Sequence, residues 1–419
     1  MVKENLKSMN YRNQVLFNTV ANTCYLAAQW ALTVIATRFV GIEMAGILTL
    51  AVSVTNILYC VQAYGIRNYQ VSDIRGEFTP AQYLGARIIS VLTGVVLCIV
   101  YLLVSGFSVV KATIIFLFFL FRTSEALSDV FYGELQKQDR LDVSAKSYLL
   151  RSLLTVVLFT SLTWATKDLV LPMLAVATCC ALVTFLFDRK KYVELIPLER
   201  RKLDGNWIKT SLLPLKTCFF MMATNQLPII IASLPRMMLD RFYGEELLGY
   251  YGNVSMPTAL IVAIVPNLLT PIMTLYGKWI QDCEHRKMVR MYFMTLLGTC
   301  AVGLACVAGV WLLGDPVMTL VYTDGIRPYL HYLYPLILTT VLYAITMCNN
   351  AVLISMRKNT SVWVSAVVGA IVCVILSFVI IAPMGVNGVI LSMGASYGVQ
   401  VLLQIIVLLK EFSYWKNKQ

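Results

Sequence analysis

The sequence predicts an all-α polytopic membrane protein with about 12 transmembrane helices, in two six-helix lobes related by an internal repeat. Three observations lead to this fold class. Of the 419 residues, 58% are hydrophobic and only 13% are charged, which is not the composition of a soluble chain. Long apolar segments recur along the whole chain between short polar breaks. A short motif from the first half also returns in the second half.

The apolar segments have the length that a membrane-spanning helix needs. About 20 residues suffice to cross roughly 30 Å of hydrocarbon. The first half of the chain is expected to cross the membrane over 15–37, 45–66, 84–105, 109–131, 147–165 and 169–187. The second half is expected to cross over 212–234, 248–274, 290–313, 330–354, 361–382 and 386–409. The fourth and seventh segments are the least sharply bounded, because both contain charged residues.

The internal repeat rests on a motif that ends one apolar segment and begins the next. Residues 38–46 read Arg-Phe-Val-Gly-Ile-Glu-Met-Ala-Gly, and residues 241–249 read Arg-Phe-Tyr-Gly-Glu-Glu-Leu-Leu-Gly. Five positions agree at an offset of 203, and the same offset pairs Asn22 with Asn225. A duplicated bundle with polar side chains inside the membrane is the architecture of many transporters.

The predicted domains are an N-terminal lobe over 1–187, a cytoplasmic inter-lobe loop over 188–211 and a C-terminal lobe over 212–419. We interpret the loop as a solvated linker, with docking of a partner protein as the alternative. With the N-terminus inside, 27 of the 34 Lys and Arg fall on the cytoplasmic side. This excess predicts a cytoplasmic (inner) membrane protein with both termini in the cytoplasm. The net charge of +12 then indicates contact with anionic membrane lipid, not with nucleic acid.

No enzyme activity is expected. His285 and His331 are the only histidines and match no metal-binding motif, so we predict neither a catalytic nor a metal site. The sequence has no phosphate-binding loop of the GxxxxGK[ST] type, which argues against ATP hydrolysis. The predicted outer connections are short for the extracytoplasmic site of a membrane glycosyltransferase or polymerase. That function is therefore the least favoured alternative.

The fourth span contains the sharpest candidate site. Arg122, Glu125 and Asp129 are spaced i, i+3 and i+7, so they share one helical face. Arg122 lies about 20 Å from the outer end of the span, and a lone Arg at such depth costs at least about 2.5–3.5 kcal/mol. These side chains should therefore face the bundle interior. Either the charges only brace the helix, or Arg122 binds an anionic substrate while a carboxylate tunes it or carries a proton.

Other polar residues extend the predicted substrate-binding set. Asn22 and Gln29 lie on one face of the first span, and Asn350 lies on a similar stripe in the tenth. Such stripes either line a water-accessible cavity or hold helices together through hydrogen bonds of about 0.6 kcal/mol each. The remaining candidates are Asn225, Lys216, Arg38 and Arg241. The alternative is hydrogen-bonding between helices for Asn225, snorkelling to the cytoplasmic surface for Lys216, and anchoring at the outer rim for Arg38 and Arg241.

Two further stretches carry a resemblance to a known family. Residues 122–137 read Arg-Thr-Ser-Glu-Ala-Leu-Ser-Asp-Val-Phe-Tyr-Gly-Glu-Leu-Gln-Lys, and a Leu-Pro-Arg at 234–236 is followed by Leu-Gly-Tyr at 248–250. With the twelve spans and the Arg-Phe-x-Gly start of the second span, the chain resembles the polysaccharide and oligosaccharide-lipid flippases (O-antigen and capsule repeat-unit transporters). These belong to the multidrug/oligosaccharidyl-lipid/polysaccharide exporter (MOP) superfamily.

The resemblance implies a flippase that moves a polyprenyl-pyrophosphate-linked oligosaccharide, or a teichoic-acid-like precursor, to the outer leaflet by alternating access. It implies two lobes around a central cavity, no cofactor beyond a coupling H⁺ or Na⁺, and functional partners among glycan-polymerising or glycan-ligating membrane proteins. Buried Arg or Lys suits the anionic pyrophosphate. Two alternatives share the superfamily. One is a cation-coupled multidrug exporter, which Glu125 and Asp129 would suit, and the other is a cell-wall precursor flippase, whose relatives usually have two more spans.

Overall fold

The computed structural model describes residues 10–201, 205–282 and 284–418, which form helices joined by short turns, with no strand among them. The predicted inter-lobe loop lies partly outside the described residues, at 202–204. The helices of the first half are α1 (Tyr11–Phe39), α2 (Ile42–Ala63), α3 (Ile66–Ser72), α4 (Pro80–Ser105), α5 (Val109–Lys137), α6 (Leu141–Thr166), α7 (Val170–Leu182), α8 (Arg189–Leu195) and α9 (Leu198–Arg201). Those of the second half are α10 (Trp207–Gln281), α11 (His285–Val321), α12 (Leu333–Ser355), α13 (Asn359–Met384) and α14 (Val386–Lys418). A π-helix, Val183–Asp188, joins α7 to α8, and a 3₁₀ helix, Asp324–Tyr332, precedes α12.

Nine stretches of the described residues are long and apolar enough to cross a membrane. The first, fourth and eighth predicted segments have no such stretch of their own. The first and fourth form α1 and α5, where polar side chains lower the hydropathy, and the eighth continues α10 beyond its break at Gly244. The predicted all-α, multi-pass fold class is confirmed.

The predicted repeat has a counterpart in the backbone. Gly41 separates α1 from α2 with φ 127° and ψ 174°, and Gly244 breaks α10 with φ 81° and ψ −175°. Both conformations lie in a region that is open essentially to glycine alone. The two glycines are related by the same offset of 203 residues. The duplicated motif therefore encodes the same turn twice, between the first and second spans of each half.

The chain divides into two compact units, Met1–Gln226 and Leu227–Gln419. The first unit contains α1 to α9 and the beginning of α10, and the second contains the remainder of α10 and the helices after it. The domain limits expected from the sequence, at 1–187, 188–211 and 212–419, stay a prediction.

A break after α2 positions part of the polar interior of the first unit. Tyr64 and Gly65 both adopt left-handed backbone conformations and separate α2 from α3. The break leaves carbonyl groups at the end of α2 without a partner in the helix. Two side chains of α4 satisfy the carbonyl of Gln62: Arg87 Nη1 donates to it at 2.5 Å and Ser90 Oγ at 2.7 Å. The break thus provides a backbone acceptor for the buried guanidinium group of Arg87.

Candidate functional site

A cavity of about 130 Å³ lies inside the first unit, between side chains of α1, α2, α5 and α6. Its lining includes four tyrosines, at positions 25, 59, 132 and 148. The structure therefore brings the polar face of α1 and the charged face of α5 together around one space. Binding of a substrate there stays a prediction. The lining includes five of the predicted site residues, namely Asn22, Gln29, Arg122, Glu125 and Asp129.

Glu125 lies at the centre of the first of three charged groups in this unit. Its carboxylate accepts hydrogen bonds from Arg122 on the same helix and from Tyr25 on α1, and a third from Gln29 Nε2 at 2.9 Å. Arg122 also lies over the ring of Tyr59, with 4.2 Å between the guanidinium carbon and the ring centroid. Among the described residues, Arg122 Nε has no hydrogen-bond partner. Both oxygens of Glu125 thus accept hydrogen bonds, whereas one N–H of Arg122 is not used.

Asp129 forms the second charged group, because two arginines share its carboxylate. Arg67 of α3 donates to Oδ1 at 3.1 Å, and Arg87 of α4 donates to Oδ2 at 2.8 Å. Arg67 also donates to Gln136 at 3.1 Å. The Arg87 side chain is completely buried, and a buried charge is tolerated only when it is paired. Asp129 therefore joins three helices and is fully occupied in doing so.

The third charged group is the buried ion pair between Arg151 of α6 and Asp188 at the end of the π-helix. The two groups are 3.0 Å apart, and their side chains are 1% and 0% exposed. Arg151 also donates to Ser128 at 2.6 Å and to Thr184 at 2.7 Å. Tyr132 donates to the same oxygen of Asp188 at 3.1 Å. The π-helix places Thr184 and Asp188 on the side of the chain that faces Arg151, and such bulges are frequent at functional sites.

The three groups contain one arginine more than they contain carboxylates. They contain four arginines and three carboxylates, and every carboxylate pairs with at least one arginine. The three groups together carry one excess positive charge, which comes from the two arginines on Asp129, whereas the cavity lining itself contains two arginines and two carboxylates. Arg122 and Arg151 are the arginines of these groups that line the cavity. Arg151 is engaged by its ion pair and by four hydroxyl groups, which leaves Arg122 as the arginine best placed to meet a ligand.

Sequence reasoning did not select four members of these groups. Arg87 and Arg151 lie inside the predicted spans 84–105 and 147–165. A charged residue within a span was the signal that could have identified them. Both lie near span ends, where an arginine usually snorkels to the surface. Arg67 and Asp188 fall at the edges of connections and carry no comparable signal. Their role became visible only through the ion pairs with Asp129 and Arg151.

The other predicted site residues lie elsewhere. Among the described residues, the cavity lining does not include any of them. Asn350 is half-buried in the second unit and accepts a hydrogen bond from Gln404 at 2.9 Å. The remaining four are exposed, namely Lys216, Asn225, Arg38 and Arg241. Their contribution to substrate binding stays a prediction.

Outside the spans, Asp73 fixes the connection between α3 and α4. Its carboxylate accepts hydrogen bonds from the backbone N–H of Glu77 at 2.9 Å, that of Phe78 at 3.2 Å and the hydroxyl of Tyr83 at 2.9 Å. Burial alone would raise the pKa of this carboxyl, but these hydrogen bonds and the nearby Lys137 hold its pKa below the ordinary value. Lys137 also donates to the Asp73 carbonyl at 2.8 Å, which ties α5 to the connection.

Comparison with known proteins identifies the fold. No protein-family model matches the sequence, and no match is found among curated proteins. The lipid II flippase MurJ, in an inward closed conformation, has a TM-score of 0.71 and 14% identity, over 96% of this chain and 90% of its own. An inward-facing MATE family multidrug resistance transporter of the MOP superfamily has a TM-score of 0.68 and 15% identity, over 94% and 95%.

A third solved structure is a MOP superfamily transporter from Pyrococcus furiosus, for which a reverse polarity of the binding pocket suggests a different function. Its TM-score is 0.61 and its identity 15%, over 97% of both chains. At such identities the likeness concerns the fold. The chain has the fold of MOP-superfamily membrane transporters, and the resemblance predicted from the sequence is confirmed at this level.

Proposed function

We propose that this chain is a membrane transporter that flips a lipid-linked anionic glycan from the cytoplasmic to the outer leaflet. The glycan is of the polyprenyl-pyrophosphate-linked or teichoic-acid-like type. The observation that carries the proposal is Arg122, which lines the cavity of the first unit and whose Nε has no hydrogen-bond partner among the described residues. The fold supports it, since one of the structures that shares it is a lipid II flippase.

Arg122 is suited to recognise a phosphate group. A guanidinium presents several N–H donors in one plane and binds phosphate oxygens in two-point contacts. In the absence of substrate, Glu125 neutralises Arg122 and limits the cost of a partly buried charge. An incoming pyrophosphate takes the place of Glu125 as the partner of Arg122. Glu125 then remains held by Tyr25 and Gln29.

The rest of the substrate follows from its chemistry. Asn22 and the hydroxyl of Tyr59, which both line the cavity, offer hydrogen bonds to sugar or phosphate oxygens. The lipid tail stays in the bilayer while the polar head crosses. Alternating access coupled to a gradient of H⁺ or Na⁺ is part of the proposal. So are a location in the cytoplasmic membrane, both termini inside, and partners that polymerise or ligate glycans.

A cation-coupled multidrug exporter is the second candidate, because Glu125 and Asp129 line the same cavity. A cationic drug needs a carboxylate that is free to pair with it. Both oxygens of Glu125 and both oxygens of Asp129 accept hydrogen bonds from side chains of the first unit. Four of the five donors are side chains of arginine or tyrosine, and a cation would have to displace them. They are Tyr25, Arg67, Arg87 and Arg122. The anionic substrate is therefore favoured.

Conditional depletion in the native host tests the proposal. Lipid-linked oligosaccharide and surface glycan are followed together as the protein disappears. We expect the precursor to accumulate on the cytoplasmic side while surface glycan is lost. Re-expression of the wild-type chain or of Arg75→Ala, an exposed arginine in a connection, should restore the glycan, and Arg122→Ala should not. Unchanged glycan with greater sensitivity to cationic dyes would favour the multidrug exporter instead.

A further inference from the structure

The segment between α11 and α12 forms a folded element at one end of the second unit. The 3₁₀ helix Asp324–Tyr332 fills most of this connection. Ile326 is 1% exposed and Tyr322 is 2% exposed. These two side chains anchor the connection on the unit, so the side chains beside them are held in place. In the orientation predicted from the sequence, this end of the unit faces outward.

Four aromatic rings from two elements are in contact here. Tyr250 of α10 and Tyr329 are stacked, with ring centroids 4.2 Å apart and an angle of 14° between the planes. Tyr332 follows at 6.4 Å from Tyr329, and His331 lies 3.9 Å from Tyr332. The three tyrosines are half-buried and His331 is exposed. We call these four residues the aromatic stack.

Exposed charged groups accompany the aromatic stack. Arg327 Nε lies 3.3 Å from the carboxylate of Asp315, and its Nη2 lies 3.5 Å from that of Asp324. The three side chains are between 58% and 85% exposed. Ion pairs this exposed contribute little to stability. Stability therefore does not account for the cluster, and its groups are accessible to a ligand.

A sugar ring suits this combination of groups. One face of a pyranose presents C–H bonds, which pack against the electron-rich face of an aromatic ring. Its hydroxyl groups pair with guanidinium and carboxylate groups in planar contacts. Single tyrosines at a membrane surface are explained by their preference for the interface. That preference does not explain four rings in contact beside exposed ion pairs.

We propose that the aromatic stack and Arg327 bind the glycan of the lipid-linked substrate at the outer end of the second unit. This inference rests on the proposed function and adds to it a sugar site built from residues of the second unit.

The test compares two probes on the purified full-length chain in lipid nanodiscs. One probe is the lipid-linked glycan extracted from native membranes, and the other is sugar-free polyprenyl diphosphate. The variant Tyr250→Leu/Tyr329→Leu removes two rings of the aromatic stack, and Tyr250→Phe/Tyr329→Phe keeps them. Tyr334→Leu removes an exposed tyrosine just beyond the aromatic stack and is the matched control.

We expect the double leucine variant to bind the lipid-linked glycan about tenfold more weakly than the wild type. Its binding of polyprenyl diphosphate should not change, and the phenylalanine and Tyr334 variants should behave like the wild type. Thermal unfolding shows whether each variant is folded. Should the double leucine variant fail to fold, Arg327→Gln at an exposed position replaces it, with an expected loss of roughly threefold for the glycan probe alone.

Three results would overturn the inference: no loss with either probe, an equal loss with both, or normal glycan binding in a variant that no longer supports surface glycan in the cell. The last result would assign the aromatic stack to docking of another protein. Arg122→Ala separates this failure from that of the proposed function. If Arg122→Ala weakens both probes and the leucine variant weakens neither, only the sugar site is wrong. If the wild type binds neither probe, the proposed function fails and the inference with it.

Discussion

The two units share a repeated architecture but hold their interiors together with different chemistry. In the first unit, the carboxylates of Glu125, Asp129 and Asp188 are each paired with arginine, and the buried Glu134 accepts a hydrogen bond from Gln70. In the second unit Asp240 is also buried, but neutral groups make several of the contacts between helices. Tyr292 donates to Asn349 at 2.8 Å, and Gln404 donates to Asn350 and to Ser365, at 2.9 Å and 3.2 Å. The ion pairs described in the second unit, Lys287–Glu284, Arg327–Asp315 and Lys358–Glu411, are partly or largely exposed.

The difference bears on the role of the charged side chains in the first unit. Hydrogen bonds between neutral side chains suffice to join transmembrane helices, at about 0.6 kcal/mol each. A charge inside the membrane costs several times that amount before it is paired. The amide contacts of the second unit show that neutral groups can join helices of this fold. In the first unit Arg67, Arg87 and Arg151 are held in ion pairs that link helices, and Arg122 is the arginine for which we propose a ligand.

The largest expected effect comes from breaking the ion pair of Arg151 and Asp188. Arg151→Leu leaves a fully buried carboxylate without its cation, and we expect a loss of about 3–5 kcal/mol in the free energy of unfolding. Thermal unfolding in detergent and the yield of folded protein measure it. Arg189→Leu, at an exposed position beside Asp188, is the matched control and should change little. If Arg151→Leu is as stable as this control, the pair is not a structural element.

The next largest effect is functional. Arg122→Ala should reduce flipping of the lipid-linked glycan roughly tenfold to a hundredfold, because it removes charge-assisted hydrogen bonds to the substrate. The amount of folded protein should stay near that of Arg75→Ala. Flipping is measured in proteoliposomes with extracted lipid-linked glycan. A loss of folded protein would indicate that Arg122 and Glu125 only brace α5.

Exchanging the two residues sharpens this result. The variant Arg122→Glu/Glu125→Arg keeps an ion pair on one face of α5 but moves the positive charge by three residues. If Arg122 recognises phosphate, flipping should remain as low as in Arg122→Ala. Flipping at the wild-type rate would support the bracing interpretation and contradict direct recognition of the substrate by Arg122.

Local periodicity explains which parts of the molecule were predictable. The charged face of α5 was predicted because i, i+3 and i+7 spacing is a property of one helix. The repeated motif was predicted to end one span and begin the next, and the structure shows that Gly41 and Gly244 give both copies a similar turn. Both features are contained in short stretches of sequence. The all-α fold class followed in the same way from the apolar segments.

The partners of that charged face were not predictable in the same way. Arg87 and Arg151 reach Asp129 and Asp188 only because α4 and α6 lie beside α5 and the π-helix. Which helices are neighbours is set by tertiary packing, and no local spacing records it. The π-helix itself, Val183–Asp188, lies in an apolar segment whose sequence pattern does not distinguish it from an α-helix. The sequence thus predicted the charged residues of α5, and the structure identified the residues of other helices that pair with them.

A smaller effect is expected at the connection between α3 and α4. Asp73→Ala removes the acceptor of three hydrogen bonds and should cost about 1–3 kcal/mol at neutral pH. Because the pKa of Asp73 is lowered in the folded state, its contribution is fully present above the ordinary carboxyl pKa of about 3.9. The contribution is lost as the pH falls through the lowered pKa. The difference in unfolding free energy between wild type and variant should therefore shrink below about pH 4, and a constant difference would contradict this assignment.

The smallest effect is expected in the amide-rich interior of the second unit. Gln404→Leu removes the hydrogen bonds to Asn350 and Ser365, and its side chain is nearly completely buried. Because neutral bonds inside a membrane bundle are worth about 0.6 kcal/mol each, the loss should be near 1 kcal/mol, with flipping unchanged. Thermal unfolding of Gln404→Leu beside Arg151→Leu measures the contrast directly. A loss as large as that of Arg151→Leu would show that amides and ion pairs are equally essential to packing, and the contrast between the two units would then not hold.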